Sequence, residues 1–120
     1  MTTKGSCMCG AVKYEFTGSP AAKALCHCTD CQKWSGSAYT SNVAVPRSVF
    51  TLLSGKETLK TWDTIGDSGK IMPEMMFIKG GGLDGGKADL GNVDVELYVK
   101  NRVGFLGKLE GAKQDERMEY

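Results

Sequence analysis

The segment Cys26-His27-Cys28-Thr29-Asp30-Cys31 constrains this chain more than any other. It holds three of the five cysteines and the single histidine. Thiols at positions i, i+2 and i+5 can turn inward together around one small ion. A soft ion with a tetrahedral preference, Zn²⁺ above all, suits thiolates best. A structural zinc site is normally closed by four protein ligands, whereas a catalytic one keeps three and leaves the fourth position for water or substrate. Cys26, Cys28 and Cys31 therefore offer such an ion three sulfurs, one short of a closed structural set.

Other uses of these thiols fit less well. Five is an odd count for a disulfide framework. The opening Met1-Thr2-Thr3-Lys4-Gly5-Ser6 is polar and no apolar stretch follows it, so the expectation is a cytoplasmic protein with reduced thiols. Cys28-Thr29-Asp30-Cys31 has the spacing of a redox C-x-x-C pair, but such a pair expects a βαβ setting, and Cys26 just upstream favours metal. The 120 residues suit one domain, which buries roughly two thirds of its unfolded surface. A formal net charge of +1 gives no sign of a nucleic-acid or membrane-surface partner. No apolar run approaches the ~20 residues of a bilayer span. Sixteen glycines favour turns and short strands over long helices.

Gly5-Ser6-Cys7-Met8-Cys9-Gly10 reads as a tight turn carrying two thiols, Cys7 and Cys9. In residues 11–17, Val12, Tyr14 and Phe16 alternate with Lys13 and Glu15, the pattern of a half-buried strand. Thr17-Gly18-Ser19-Pro20 ends it, and residues 21–25 lead as a short strand into the cysteine cluster. Residues 30–35 make one or two helical turns stopped at Gly36. Further strands are expected at 37–45, closed by Pro46, at 49–53, at 58–62 and at 74–79, the last short, apolar and buried. Residues 80–86 form a glycine-rich loop without the GxxxxGK[ST] arrangement of a phosphate loop. Alternating Val93, Val95, Leu97 and Val99 make the last strand. Residues 1–107 are expected to be the domain and 108–120 a charged, frayed tail. The sum is an all-β domain with short helical turns and its cysteines in turns.

Gly5-Ser6-Cys7-Met8-Cys9-Gly10-Ala11-Val12-Lys13-Tyr14-Glu15 resembles the opening of the glutathione-dependent formaldehyde-activating enzymes, the group that includes centromere protein V. Cys26-His27-Cys28-Thr29-Asp30-Cys31-Gln32-Lys33 with Ser35-Gly36-Ser37-Ala38 resembles their second block. Val45-Pro46 with Phe50, Gly82-Leu83-Asp84 and Val99-Lys100-Asn101-Arg102 resemble later landmarks, so the likeness runs to about Leu106. It implies a tent-like, β-rich zinc fold. It also implies a carbon–sulfur lyase that reversibly joins glutathione to formaldehyde, with catalytic zinc on Cys26, Cys28 and Cys31. Cys7 and Cys9 would share a structural zinc with a later C-x-x-C pair. Here no cysteine follows Cys31. The chain looks cut at about Lys70-Ile71, with the pattern resuming near Met72-Pro73, so the fold is expected to be shortened in the middle, with one tightly bound zinc.

Around the cluster, His27 lies between two ligands, and alternation aims it away from them, toward a supporting role. Asp30 is expected to cap the short helix. Lys33 is a candidate for a glutathione carboxylate, although a lone lysine is usually just solvated. Ser35, Gly36 and Ser37 either offer backbone N–H groups to a peptide substrate or form a plain turn. Trp34 and Trp62 are expected in the core. The reading is a lyase acting on glutathione or another small thiol and on formaldehyde or a small carbonyl. The alternative is a non-catalytic zinc module or inactive shortened paralogue, in which Cys7 and Cys9 join two of the other three sulfurs in a closed site.

Overall fold

The computed structural model describes residues 1–61 and 74–118. The apparent junction at Lys70-Ile71 and Trp62 lie outside these residues. The described chain is β-rich, with β1 (Thr2–Ser6), β2 (Lys13–Thr17), β3 (Ala22–Cys26), α1 (Thr29–Ser35), β4 (Thr40–Pro46), β5 (Phe50–Ser54), β6 (Met75–Lys79), β7 (Val95–Leu97) and β8 (Lys113–Gln114). Among these residues the strands form two sheets, β1-β2-β5 and β6-β4-β3-β7-β8. The first is antiparallel. In the second, β3 pairs antiparallel with β4 and parallel with β7, and β8 extends it parallel to β7.

Alternation along β3 and β4 gives the second sheet two different faces. Lys23 stands opposite Val43 and Cys26 opposite Thr40. On one face Val43 and Val45 pack with Ile78, Leu83 and Phe16 of β2, with Tyr14, Phe50 and Met76 against them, and this is the main core. On the other, Ala24 and Cys26 pack with Leu97 and Tyr98, and Cys28, Cys31 and Met118 lie against them. The cysteine knuckle thus grows from the rim of a small second core. Gly5 bridges to Leu83 and the Asp84 N–H donates to the Lys4 carbonyl, which fastens the first sheet to the loop after β6. Gly5 cannot be larger, because a Cβ there would lie 2.3 Å from the Tyr14 ring.

Several sequence expectations need correction. β1 was not expected; its polar Thr2–Ser6 run is held by pairing with β2 rather than by an apolar face of its own. Residues 58–61 form no strand. The Thr58 and Leu59 N–H groups and the Thr58 hydroxyl all donate to the Gly55 carbonyl, closing a turn instead. β6 is an edge strand rather than a fully buried one, and its Phe77 is 42 % exposed. The strand expected from Val93 to Val99 ends at Leu97, because Tyr98 takes a left-handed backbone, φ 57°, and turns the chain into a short 3₁₀ segment. The stretch after residue 107 is not frayed over its described part. It contributes β8, and Asp115 is buried.

Candidate metal centre

Cys26 ends β3, and its neighbours are placed by the turn that follows. Cys28 is the N-cap of α1, with extended backbone, and its Sγ accepts the Cys31 N–H at 3.2 Å. That role was expected of Asp30, which instead sits in the first turn. A thiol at the cap and another three residues on face the same way by helical geometry. The helix stops after seven residues where Gly36 adopts φ 71°, a conformation that glycine takes at least cost. The Sγ atoms of Cys26, Cys28 and Cys31 all lie within 4.8 Å of one another, the one group of at least three His, Cys, Asp or Glu ligands among the described residues. Thiolates about 2.3 Å from a tetrahedral ion stand roughly 3.8 Å apart, so the three sulfurs fit a zinc ion with little movement.

The three thiols perturb one another strongly. Hydrogen bonds from the Cys26 and Cys28 thiols pull the Cys31 thiol down to about 2, against burial and with help from Thr40 and the Lys79 ammonium. The same contacts with Cys28 and Cys31, together with burial, push Cys26 far up.

His27 lies behind the cluster. Cys26 pairs with Leu97 and Leu25 with Glu96, so His27 and Glu96 belong to the face opposite the sulfurs. Both are almost fully buried, and His27 Nε2 stands 2.8 Å from Glu96 Oε1. An ionised carboxylate only accepts, so Nε2 carries the proton. Glu96 Oε2 also accepts from Arg102 Nη2 at 3.0 Å, Gln114 Nε2 at 2.7 Å and the Leu109 N–H at 2.9 Å. Burial pushes the Glu96 carboxyl up, but the Leu109, Gln114, His27 and Arg102 contacts outweigh it and hold it at about 2. Gln32 ties α1 into the same frame through the His27 and Asn101 carbonyls.

Beside the cluster opens a cavity of about 340 Å³ lined by Trp34, Ser35, Tyr39, Thr40, Ser41, Lys79 and Gly81. Lys79 Nζ donates to Asn42 Oδ1 at 2.7 Å and Thr40 Oγ1 at 3.3 Å, and lies 3.9 Å from Cys31 Sγ. Trp34, expected in the core, is 71 % exposed. It sits on a helix with no buried residue and becomes a wall of the cavity. Of the substrate-contact candidates, Ser35 lines the cavity, but its hydroxyl donates to the Cys31 carbonyl. The Gly36 and Ser37 N–H groups are spent on the Gln32 carbonyl and Ser35 Oγ. Lys33 is exposed on α1 and does not line the cavity. Tyr39, Thr40 and Lys79 escaped the sequence reading. Lys79 alone carried a usable signal, a charge ending an apolar strand.

Cys7 and Cys9 do not join the cluster. Both are exposed, with their sulfurs 3.5 Å apart, and no third ligand approaches them among the described residues. The closed four-sulfur arrangement is therefore not formed. The Val12 N–H, donating at 3.3 Å, and the Cys9 thiol hold the Cys7 thiol down at about 7.

The family model described as glutathione-dependent formaldehyde-activating enzyme matches residues 2–81, which include all five cysteines, the cavity and Lys79. The chain belongs to this family. No curated protein matches the chain closely enough to lend it a specific activity. Glu96, Arg102 and Gln114 lie beyond the matched residues. Among the described residues no helix is long and apolar enough to cross a membrane.

Proposed function

We propose that the chain is a zinc-dependent carbon–sulfur lyase that reversibly joins glutathione, or a related small thiol, to formaldehyde or a similar small carbonyl. What carries the reading is the convergence of Cys26, Cys28 and Cys31, with Thr40 and Lys79 of the neighbouring cavity beside Cys31, in a member of this family. These three sulfurs would hold the zinc. When bound, the ion supplies a Lewis-acid centre with one position left over, which favours the thiolate form of an incoming thiol. In the forward direction the thiol sulfur forms a bond to the carbonyl carbon, the carbonyl π pair passes to oxygen, and the thiol proton ends on that oxygen.

The residues of the chain position this chemistry. Trp34 and Tyr39 give the cavity aromatic walls, and Thr40 and Lys79 belong both to the cavity and to the surroundings of Cys31. Three thiolates around a divalent ion leave one net negative charge, which the Lys79 ammonium faces. His27 and Glu96 brace the knuckle without entering it, and the exposed thiols of this chain suit a reducing, cytoplasmic setting. The test is metal analysis combined with a glutathione titration followed by zinc X-ray absorption. One zinc per chain, with a sulfur shell that changes as glutathione is added, is the expected result. An inert four-sulfur shell, or no stoichiometric zinc, overturns the proposal.

A further inference from the structure

We propose that Lys79 is a catalytic residue of this site, the group that receives the negative charge appearing on the carbonyl oxygen when a thiolate adds to it. The inference rests on the lyase reading above. The Lys79 side chain reaches from the end of β6 across the face that carries Cys26, Thr40 and Asn42. Its Nζ is held at two points, Asn42 Oδ1 at 2.7 Å and Thr40 Oγ1 at 3.3 Å. Asn42 is itself fixed, its amide donating to the Thr40 carbonyl and hydroxyl at 3.0 Å. An ammonium has three N–H donors. Two go to oxygen acceptors, and the third goes to Cys31 Sγ at 3.9 Å, the longest of the three contacts and the one beside the cavity.

That placement matches the reaction. A thiol held at the sulfur cluster and a small carbonyl in the cavity bring the new C–S bond within reach of Lys79. As the bond forms, the π pair moves to oxygen, and a fixed cation beside it needs no reorganisation to stabilise that charge. Lys79 donates a hydrogen bond to the oxygen, and the proton released by the thiol ends on that oxygen. In the reverse direction the same group takes charge from the hydroxymethyl oxygen as the C–S bond breaks. Lys33, the other lysine of the region, is outside the cavity and cannot replace it.

The test compares wild type, Lys79→Met and Lys79→Arg in the zinc-loaded full chain. Interconversion of free and hydroxymethylated thiol is followed by NMR exchange, with glutathione and with 2-mercaptoethanol, which has no carboxylate. Lys79→Met is expected to lower kcat by roughly 100-fold, to leave KM for the thiol within about threefold and zinc content unchanged, and to do so with both thiols. Lys79→Arg is expected to recover part of the rate. An unchanged kcat overturns the proposal. A penalty that vanishes with 2-mercaptoethanol also overturns it, since Lys79 would then bind a glutathione carboxylate. Zinc loss from Lys79→Met overturns it too, by reducing Lys79 to a support for the cluster. Failure of the wild type itself to exchange either thiol sinks the lyase reading, and this proposal with it, before any variant is compared.

Discussion

The Cys26–Cys31 knuckle and the Cys7–Cys9 turn both place two thiols two residues apart where a β-strand ends. In the knuckle, a helix begins at Cys28 and delivers a third sulfur, a small core surrounds the group, and Glu96 and His27 brace it from the other face. The turn has none of these. Its thiols are exposed, and its backbone is closed locally by the Cys7 N–H to Val12 carbonyl and Gly10 N–H to Cys7 carbonyl bonds, both 3.0 Å. Spacing alone therefore does not gather a ligand set. A third donor from a rigid element and burial against a second layer do.

The sharpest way to break this contrast is to remove one sulfur from the better site. Cys28→Ala leaves two sulfurs and deletes the helix cap, so zinc and lyase activity should both be lost, as read by metal analysis and NMR exchange. Full zinc occupancy in this variant would mean that the cluster is not the metal centre.

The complementary experiment upgrades the poorer site. A segment carrying F-C-x-x-C-G inserted after Lys70 should supply the two missing sulfurs to Cys7 and Cys9. Zinc stoichiometry should rise from one to two. A closed structural site can add on the order of 10 kcal/mol of metal-dependent folding energy, so the melting temperature should rise and fall back with a chelator. Two tight zinc ions in the chain as it stands would erase the contrast.

The brace behind the knuckle accounts for a smaller effect. The Glu96 carboxyl is lowered from 4.5 to about 2, so it contributes stability that is fully present above pH 4.5 and disappears as the pH falls toward 2. The size is about 3 kcal/mol. Glu96→Gln should be less stable than wild type by that order in denaturant at pH 7, with the gap closing in acid. A gap that does not narrow below pH 4 would rule out the carboxylate as its source. His27→Ala should be destabilised yet keep its zinc through dialysis, whereas a metal-free variant would make His27 a ligand.

The smallest effect concerns the exposed turn. Cys7 should react with iodoacetamide along a curve half-complete near pH 7, its thiolate favoured above that pH and lost below it. The zinc-loaded cluster should resist the reagent. Cys7→Ser keeps an acceptor for the Val12 N–H in an exposed turn, so it should leave the denaturant midpoint nearly unchanged. Peptide mapping and denaturant curves measure both.

Much of the site was legible because its signals are local. The i, i+2, i+5 thiols, the Val12-Tyr14-Phe16 alternation and Gly36 as a helix stop each need only a few neighbouring residues to be read. What escaped depends on partners far along the chain. Lys79 reaches Cys31 across 48 residues. β1 and β8 are polar segments that become strands because another strand offers them an edge. Trp34 looks like core by composition, but a seven-residue helix on the rim has no interior to put it in. Glu96 breaks the rule that carboxylates stay outside, and only the donors gathered around it explain why.

That carboxylate also sets the order in which the molecule can be completed. Residues 26–31 are made first, but two of the groups that lock Glu96, the Leu109 N–H and the Gln114 amide, come long after them along the chain. Until they arrive, β7 has no β8 beside it, and the partner of His27 is a half-solvated acid. The nascent chain can gather its three sulfurs but cannot stiffen them. A chain ended at residue 107 lacks these groups, so its knuckle, once loaded with zinc, should exchange the ion faster than that of the 120-residue chain.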